Sequence, residues 1–181
     1  MHKIETDPIP DQVQMLAQEV YTIDLLPLLA NNMARLDFEV RILIQCFSSV
    51  WETNLGILKY FSSADHRHAH VHHIQAKKDV TALFNGLLRY CPQPINRFPT
   101  VDYLHTNRPD TLITLVKGYE NKDVANNCGT ILRESFKHQA LAHVVLYDER
   151  FWRFFDYVQG GSFDIASDAF GTFRVSIIHI S

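Results

Sequence analysis

The sequence predicts an all-α protein built from stacked helical repeats, and two observations carry this prediction. One pattern of 11 residues occurs three times, beginning at Asp79, Asp123 and Asp164, so the copies are 44 and 41 residues apart. Each copy begins with Asp and ends with Arg, and its positions 2, 6 and 10 are apolar or small, which is helical spacing. The chain also has only seven Gly and seven Pro in 181 residues, as expected of helices joined by short turns.

A repeat length in the low forties is typical of armadillo and HEAT units, which contain two or three helices. Such a unit cannot bury its apolar face alone, so consecutive units stack and leave a long surface for partners. The copies therefore predict an armadillo/HEAT-like helical-repeat solenoid. The alternative is that three amphipathic helices resemble one another by chance.

Apolar residues at helical spacing place the remaining helices. In chain order, the predicted helices are 11–22, 25–36, 101–106, 110–118, 121–138, 140–146 and 151–158, followed by a last helix that Ser162 is placed to cap. The longest of them is 121–138. Residues 40–75 are the one segment without a sustained helical pattern, and we expect them to be irregular.

Positions 4, 8 and 11 of each copy lie opposite the apolar face, since an α-helix turns about 100° per residue. They hold small residues and a recurring Arg: Ala82, Gly86 and Arg89; Asn126, Thr130 and Arg133; Ser167, Gly171 and Arg174. Such a surface suits an acidic or carboxylate-bearing partner. The alternative is that these Arg side chains are ordinary solvated residues near helix C-termini, where positive charge is mildly favourable.

The composition excludes several function classes. Hydrophobic residues at 46% and charged residues at 20% describe one globular domain rather than a disordered chain. The net charge of −3 provides no basic stripe for nucleic acid. The N-terminus lacks the apolar core of a signal peptide, and no apolar run approaches the roughly 20 residues that span a bilayer. Cys46, Cys91 and Cys128 have no close pairing, so we expect a cytoplasmic protein.

No motif predicts catalysis, so we expect neither an enzyme nor a cofactor. The chain has no phosphate loop, nucleophile elbow or HExxH sequence. Cys128 falls on the apolar face of the second copy, where a small buried side chain is expected and a reactive thiol is the alternative. His138 and His143 follow the second copy, where we expect them to cap helix carbonyl groups.

Half of the ten histidines lie close together, at His66, His68, His70, His72 and His73. Alternating His can ligate zinc or copper. Only Asp65 adds a further ligand, and no periodic scaffold holds the group, so we expect no built metal site. A His-rich metal-binding module is the alternative function.

Five segments carry a resemblance to a known family: LLPLLANNMARLDFE (25–39), AKKDVTALFNGLLR (76–89), PTVDYL (99–104), LVKGYENKDVANNCGTILRE (115–134) and GSFDIASDAFGTF (161–173). They resemble the calcium-binding protein 39 family, the Mo-twenty-five-like scaffolds that include fungal HymA-like members. The resemblance implies an armadillo-like horseshoe and a non-catalytic scaffold. Its implied role is to bind and allosterically activate sterile-twenty-like (germinal-centre) kinases or pseudokinases in cell polarity and morphogenesis signalling. Although the family's name refers to calcium binding, this sequence has no EF-hand spacing of acidic residues.

The resemblance stops at Glu39 and resumes at Ala76. In the family, the sequence that matches these two ends is continuous. We interpret residues 40–75 as a His-rich insertion translated from an intron. Its first and last codons, for Val and Gln, can supply a splice-site GT and AG, and its 36 codons preserve the reading frame. The alternative is a genuine insertion specific to a lineage. The same codon argument makes 175–181 a foreign tail.

The expected organisation is a partial first helical repeat over 1–39, the insertion, armadillo-like repeats over 76–174 and the tail. The family continues in both directions, so we expect a solenoid truncated at both ends, with exposed apolar surface there. Such a chain would be poorly soluble and would bind a kinase weakly or not at all. A non-functional truncated product is therefore a further alternative.

Phe163 is the sharpest candidate for contact with a partner. It lies off the apolar face just before the third copy, and aromatic residues often anchor interfaces. The alternative is a hydrophobic staple at the start of the helix. Arg133 and Arg174 are the next candidates, followed by Asn126 and Ser167 at position 4 of their copies. The expected partner is a sterile-twenty-like kinase or pseudokinase.

Overall fold

The computed structural model describes residues 10–36, 69–94, 96–160 and 162–178, and these residues form helices without any strand. The α-helices are α1 (Pro10–Thr22), α2 (Leu25–Asn32), α3 (Ala69–Arg89), α4 (Pro99–Thr106), α5 (Asp110–Lys117), α6 (Ala125–Ser135), α7 (Gln139–Leu146), α8 (Arg153–Gly160) and α9 (Phe163–Ile178). Short 3-10 turns occupy Met33–Arg35, Gly118–Glu120 and Glu149–Trp152. The all-α prediction is confirmed.

The three copies of the sequence pattern fall on helices that stack on one another. The first copy lies in α3, the second spans the start and length of α6, and the third lies in α9. Helix α3 packs on α6, and α6 packs on α9. Behind this row α2 packs on α5, α4 on α7 and α8 on α9. The chain is a helical-repeat solenoid in which one helix of each unit continues the row.

The apolar positions of the pattern form the core beneath this row. Positions 2, 6 and 10 are buried in the first two copies: Val80, Phe84, Leu88, Val124, Cys128 and Leu132. In the third copy Ala169 is buried, whereas Ile165 and Phe173 are half-buried against the core. Burying such side chains stabilises a fold by about 1.5–3 kcal/mol each, which explains why the periodicity is kept in every copy.

Local sequence signals set the helix starts. Pro99 occupies the first turn of α4 after the extended residue Phe98, a position where proline's missing N–H costs nothing. Ser162 directly precedes α9 as predicted, and its carbonyl oxygen accepts the amide of Ala166 at 2.9 Å. Asp164 lies in the first turn of α9, where a negative charge is favourable.

The structure corrects two predicted boundaries. The predicted long helix 121–138 is wrong, because the α-helix covers only Ala125–Ser135 and residues 121–124 form a turn in which Asn121 accepts the amide of Asp123. The longest described helix is α3, with 21 residues. It begins at Ala69, so the prediction that residues 40–75 are irregular is wrong for 69–75.

The predictions for the insertion concern residues that the structure describes only in part. Residues 40–68, with Cys46, His66 and His68, lie outside the described residues, and for 69–74 only the backbone is described. The prediction that the five histidines form no built metal site, and its alternative of a metal-binding module, therefore stay untested. At the other end, α9 passes the predicted boundary at Arg174 without interruption and continues to Ile178.

Candidate interaction surface

Positions 4, 8 and 11 of the three stacked helices lie on one exposed side of the row, which we call the repeat surface. Its members are Ala82, Gly86, Arg89, Asn126, Thr130, Arg133, Ser167, Gly171 and Arg174, and each of them is half-buried or exposed. Asn126 and Ser167 are exposed, and a Cβ atom added to Gly171 would meet nothing within 4 Å. The surface is therefore shallow and built of small side chains, with Arg at one end of each helix.

The first joint is the contact between α3 and α6, and an ion pair closes it. The Arg89 guanidinium donates two hydrogen bonds to the two carboxylate oxygens of Glu134, each at 2.8 Å. Lys137 donates to the same carboxylate at 2.8 Å. These hydrogen bonds, foremost those from Arg89, lower the pKa of Glu134 from 4.5 to about 2. At the other end of the joint, the Asn127 amide donates to Thr81 at 3.1 Å.

The second joint is the contact between α6 and α9, and a partly buried polar network closes it. Arg133 donates to Asp168 at 2.9 Å and to Thr172 at 2.7 Å. The Tyr119 hydroxyl donates to the other Asp168 oxygen at 2.6 Å and lies 2.8 Å from the Thr172 hydroxyl. Burial, followed by the bond to Asp168, raises the pKa of Tyr119 above its usual value.

Gly129 allows the helices of the second joint to come this close. A Cβ atom at this position would lie 2.1 Å from an Asp168 carboxylate oxygen and 2.2 Å from the Tyr119 hydroxyl oxygen. Any side chain there would have to displace the network. Gly129 is thus a packing requirement rather than a turn residue.

In the first two copies the recurring Arg side chains join neighbouring helices, since Arg89 and Arg133 each bind a carboxylate of the next helix. Contact of Arg133 with a partner stays a prediction. Arg174 differs from both: it is exposed and makes no ion pair with any residue that the structure describes. The same pattern position therefore has two uses, joining helices and, at Arg174, facing solvent.

Phe163 is exposed on the first turn of α9, with 86% of its surface accessible. That exposure is incompatible with the alternative role of a hydrophobic staple. The residues that sequence reasoning missed are Glu134, Asp168, Tyr119 and Thr172. No repeat signal marks them, since Glu134 is position 12 of its copy and Asp168 is position 5 of its own.

Two further predictions can be compared with the structure. Cys128 is buried beside Met33, with the sulfur atoms 3.8 Å apart, and burial raises its pKa to about 12, so the thiol serves as a small core side chain. His138 caps a different helix from the one expected, because its ring lies 3.1 Å from the Leu88 carbonyl in the last turn of α3. Burial lowers the pKa of His138.

A cleft of 720 Å³ lies beside the second joint, lined by polar residues that include Glu120, Lys122, Asp156 and Tyr157. Among the described residues, no group of three His, Cys, Asp or Glu side chains could hold a metal ion. Within the same residues, no helix is long and apolar enough to cross a membrane. The repeat surface is the candidate interaction surface, because the repeated sequence pattern defines it and the stacking of the three helices brings its residues together.

Comparison with known proteins gives consistent similarities. A model of the Mo25-like family matches residues 65–180. MO25-like protein 2 of Caenorhabditis elegans is 40% identical over 168 residues, which are 93% of this chain and 38% of that protein. Calcium-binding protein 39-like of Homo sapiens is 36% identical over 170 residues, 94% of this chain and 39% of that protein. The conidiophore development protein hymA of Emericella nidulans is 35% identical over 125 residues, covering 55% of this chain and 33% of that protein.

The chain thus spans about two fifths of the length of the first two relatives. The family match begins at residue 65, inside the predicted insertion, and ends at residue 180, inside the predicted foreign tail. The intron origin of these two segments stays a prediction.

Proposed function

The chain belongs to the Mo25-like family, and from that premise we propose that it is a non-catalytic scaffold whose repeat surface binds a sterile-twenty-like kinase or pseudokinase. Binding would activate the kinase allosterically, in the cytoplasm, as part of polarity and morphogenesis signalling. The name of the hymA relative, a conidiophore development protein, is in keeping with a morphogenetic role. The observation that carries the proposal is the continuous exposed side of three stacked helices.

The chemistry of this side suits a protein partner. Small residues at positions 4 and 8, such as Ser167 and Gly171, let a partner backbone approach closely. The ion pairs of the two joints hold the row of helices in one arrangement before the partner arrives, which reduces the entropy lost on binding. Arg174 adds an exposed donor fork that fits a carboxylate.

The test is binding of the full chain to a panel of purified sterile-twenty-like kinase domains, read by calorimetry and by kinase activity. Ser167→Trp and Asn126→Trp each place a bulky ring on the repeat surface, and we expect at least tenfold weaker binding and a matching loss of activation. Gln18→Trp is the matched control, because Gln18 is exposed on α1, outside this surface. Absence of binding to every kinase, or equal binding by all three variants, would refute the proposal.

A further inference from the structure

The cleft beside the second joint lies between the segments that lead into α6 and α9. Asn121 and Lys122 line it from the turn before α6. Gly160, the last residue of α8, and Ser162, the residue before α9, line it from the other side. Its walls therefore belong to two consecutive units of the row, and the cleft is a gap between neighbouring units.

The corresponding place in the first joint is occupied by a lysine side chain. Lys77 stands two residues before Asp79, the first residue of the first copy, as Asn121 stands two residues before Asp123. Lys77 is buried, with 4% of its surface exposed, and its ammonium group donates to the Asp123 carbonyl oxygen at 3.2 Å. This lysine thus reaches from the first unit to the first residue of the second copy.

The different lengths of α3 and α6 explain why the second joint is open at this place. Helix α3 begins at Ala69, so Lys77 lies in a helix that extends ahead of its copy. Helix α6 begins only at Ala125, and Asn121 lies in the preceding turn, where its side chain accepts the Asp123 amide at 3.0 Å. Asn121 is also shorter than lysine and is exposed. No residue of the turn takes the part that Lys77 takes in the first joint.

We propose that this cleft is the binding site for a lysine side chain of a protein partner. The inference deepens the proposed function and rests on it, since it requires that the chain bind a protein. The volume of the cleft, 720 Å³, lies in the range of about 300–1,000 Å³ that is usual for ligand sites. It therefore has room for a side chain together with the backbone of the residues beside it.

The charge of the cleft favours a cation. Among the described residues that line it, Glu120 and Asp156 are acidic and Lys122 is basic, so negative charge prevails. Arg153 and the Tyr157 hydroxyl both donate to one Glu120 oxygen, and the other oxygen takes part in neither bond. Asp156 is exposed and forms no ion pair with any residue that the structure describes. An ammonium group can thus approach two carboxylates here.

The shape of the site suits lysine better than arginine. Tyr119 and Tyr157 are stacked, with ring centroids 5.6 Å apart, and Ile165 adds to this apolar wall. Lysine packs its methylene chain along such a surface while its charged end stays in a polar place. The planar fork of arginine binds best to both oxygens of one carboxylate, and Arg153 already binds one oxygen of Glu120.

The experiment titrates the isotope-labelled full chain with N-acetyl-lysine methylamide and follows the amide chemical shifts by NMR. The norleucine compound is a control probe that has the aliphatic chain without the ammonium group, and the arginine compound replaces the ammonium with a guanidinium. We expect the shifts to concentrate at residues 119–122 and 156–160. The norleucine and arginine compounds should bind about threefold or more weakly than the lysine compound.

Variants of the chain test whether binding takes place in the cleft. Gly160→Tyr should obstruct it and weaken binding of the lysine compound at least tenfold. Gly171→Tyr is the matched control, because a Cβ atom at either glycine would meet nothing within 4 Å and Gly171 does not line the cleft. Asp156→Asn should weaken binding about threefold. Glu19→Gln, an exposed change on α1, should not alter it.

Several results would overturn the inference. They are absence of binding, equal binding of the norleucine compound, tighter binding of the arginine compound, and binding that survives Gly160→Tyr. Binding that is seen only after Lys122→Gln would show that the chain's own Lys122 occupies the cleft, and it would overturn the inference as well.

Kinase binding measured on the same variants keeps the two proposals apart. A kinase that binds the unchanged chain and binds Gly160→Tyr at least tenfold more weakly supports both. A kinase that binds Gly160→Tyr as tightly as the unchanged chain leaves the proposed function standing and removes this inference.

Discussion

The first and second joints bring together helices with the same sequence pattern, yet they are stabilised in different ways. In the first joint the arginine lies at the rim, with 59% of its side chain exposed, and clamps a carboxylate that a lysine shares. In the second joint the arginine belongs to a network with a buried tyrosine and a buried threonine, closed over a glycine. The repeated arginine thus occupies the same position in both joints, but the contacts through which it stabilises them differ.

The largest expected effect comes from filling the tight contact of the second joint. Gly129→Val should destabilise the protein by about 2–4 kcal/mol, because its side chain would collide with Asp168 and Tyr119. Gly171→Ala is the matched control on α9, where a Cβ atom has open space, and it should be neutral or stabilise the helix by up to about 1 kcal/mol. Urea unfolding measures both. Equal effects of the two substitutions would show that the second joint is not tightly packed.

The next effect comes from removing one hydroxyl from the network. Tyr119→Phe should cost about 1–2 kcal/mol, since Asp168 and Thr172 each lose a hydrogen-bond partner in a largely buried place. Tyr157→Phe is the matched control, because the Tyr157 hydroxyl donates only a 3.2 Å bond to the exposed Glu120. Thermal unfolding should lower the midpoint for the first variant clearly more than for the second. The reverse order would contradict the proposed difference between buried and rim contacts.

The smallest effect concerns the first joint, and it should depend on pH. Glu134→Gln should cost about 0.5–1 kcal/mol at pH 7, because it weakens hydrogen bonds to Arg89 and Lys137, whose exposed side chains are screened by solvent. Because the folded-state pKa of Glu134 is lowered from 4.5 to about 2, this stabilisation is fully present above pH 4.5 and is lost as the pH falls toward 2. Urea unfolding at pH 7, 4.5 and 3 should show the two proteins converging. A gap that stays constant down to pH 3 would argue against the ion pair. Glu19→Gln controls for the general loss of a charge, because Glu19 is an exposed residue of α1.

Much of the fold follows from local spacing, which is why it could be predicted. Apolar residues such as Val80, Phe84 and Leu88 recur at helical intervals, and any helix that packs on this face will bury them. The joints could not be predicted in this way. Arg89 and Glu134 are 45 residues apart, and their meeting depends on how two helices stack.

The errors have similar physical causes. Residues 121–124 contain a single apolar residue, Val124, which is in register with the helix that follows, but the Asn121 side chain accepts the Asp123 amide and stabilises a turn instead. The pattern also placed Arg89, Arg133 and Arg174 on one surface without revealing which of them a neighbouring helix would bind. The angle of Phe163 on the helix placed it off the apolar face but did not distinguish an exposed contact from a hydrophobic staple, because that depends on what packs beside the helix start; in the structure Phe163 is exposed.

The acids that meet Arg89 and Arg133 stand at different positions of their copies, so the two joints are not interchangeable. Glu134 is position 12 of its copy and Asp168 is position 5 of its own, so the two acids differ by seven residues, about two helical turns. If α9 stacked directly on α3, Asn85 would stand at position 7, where the tight second joint has Gly129, and Glu134 would lose Arg89 as its partner. Mispaired units are thereby disfavoured by unmatched charge, although their apolar faces are nearly interchangeable. The contacts at the two joints therefore favour each helix's own neighbour over the other copy.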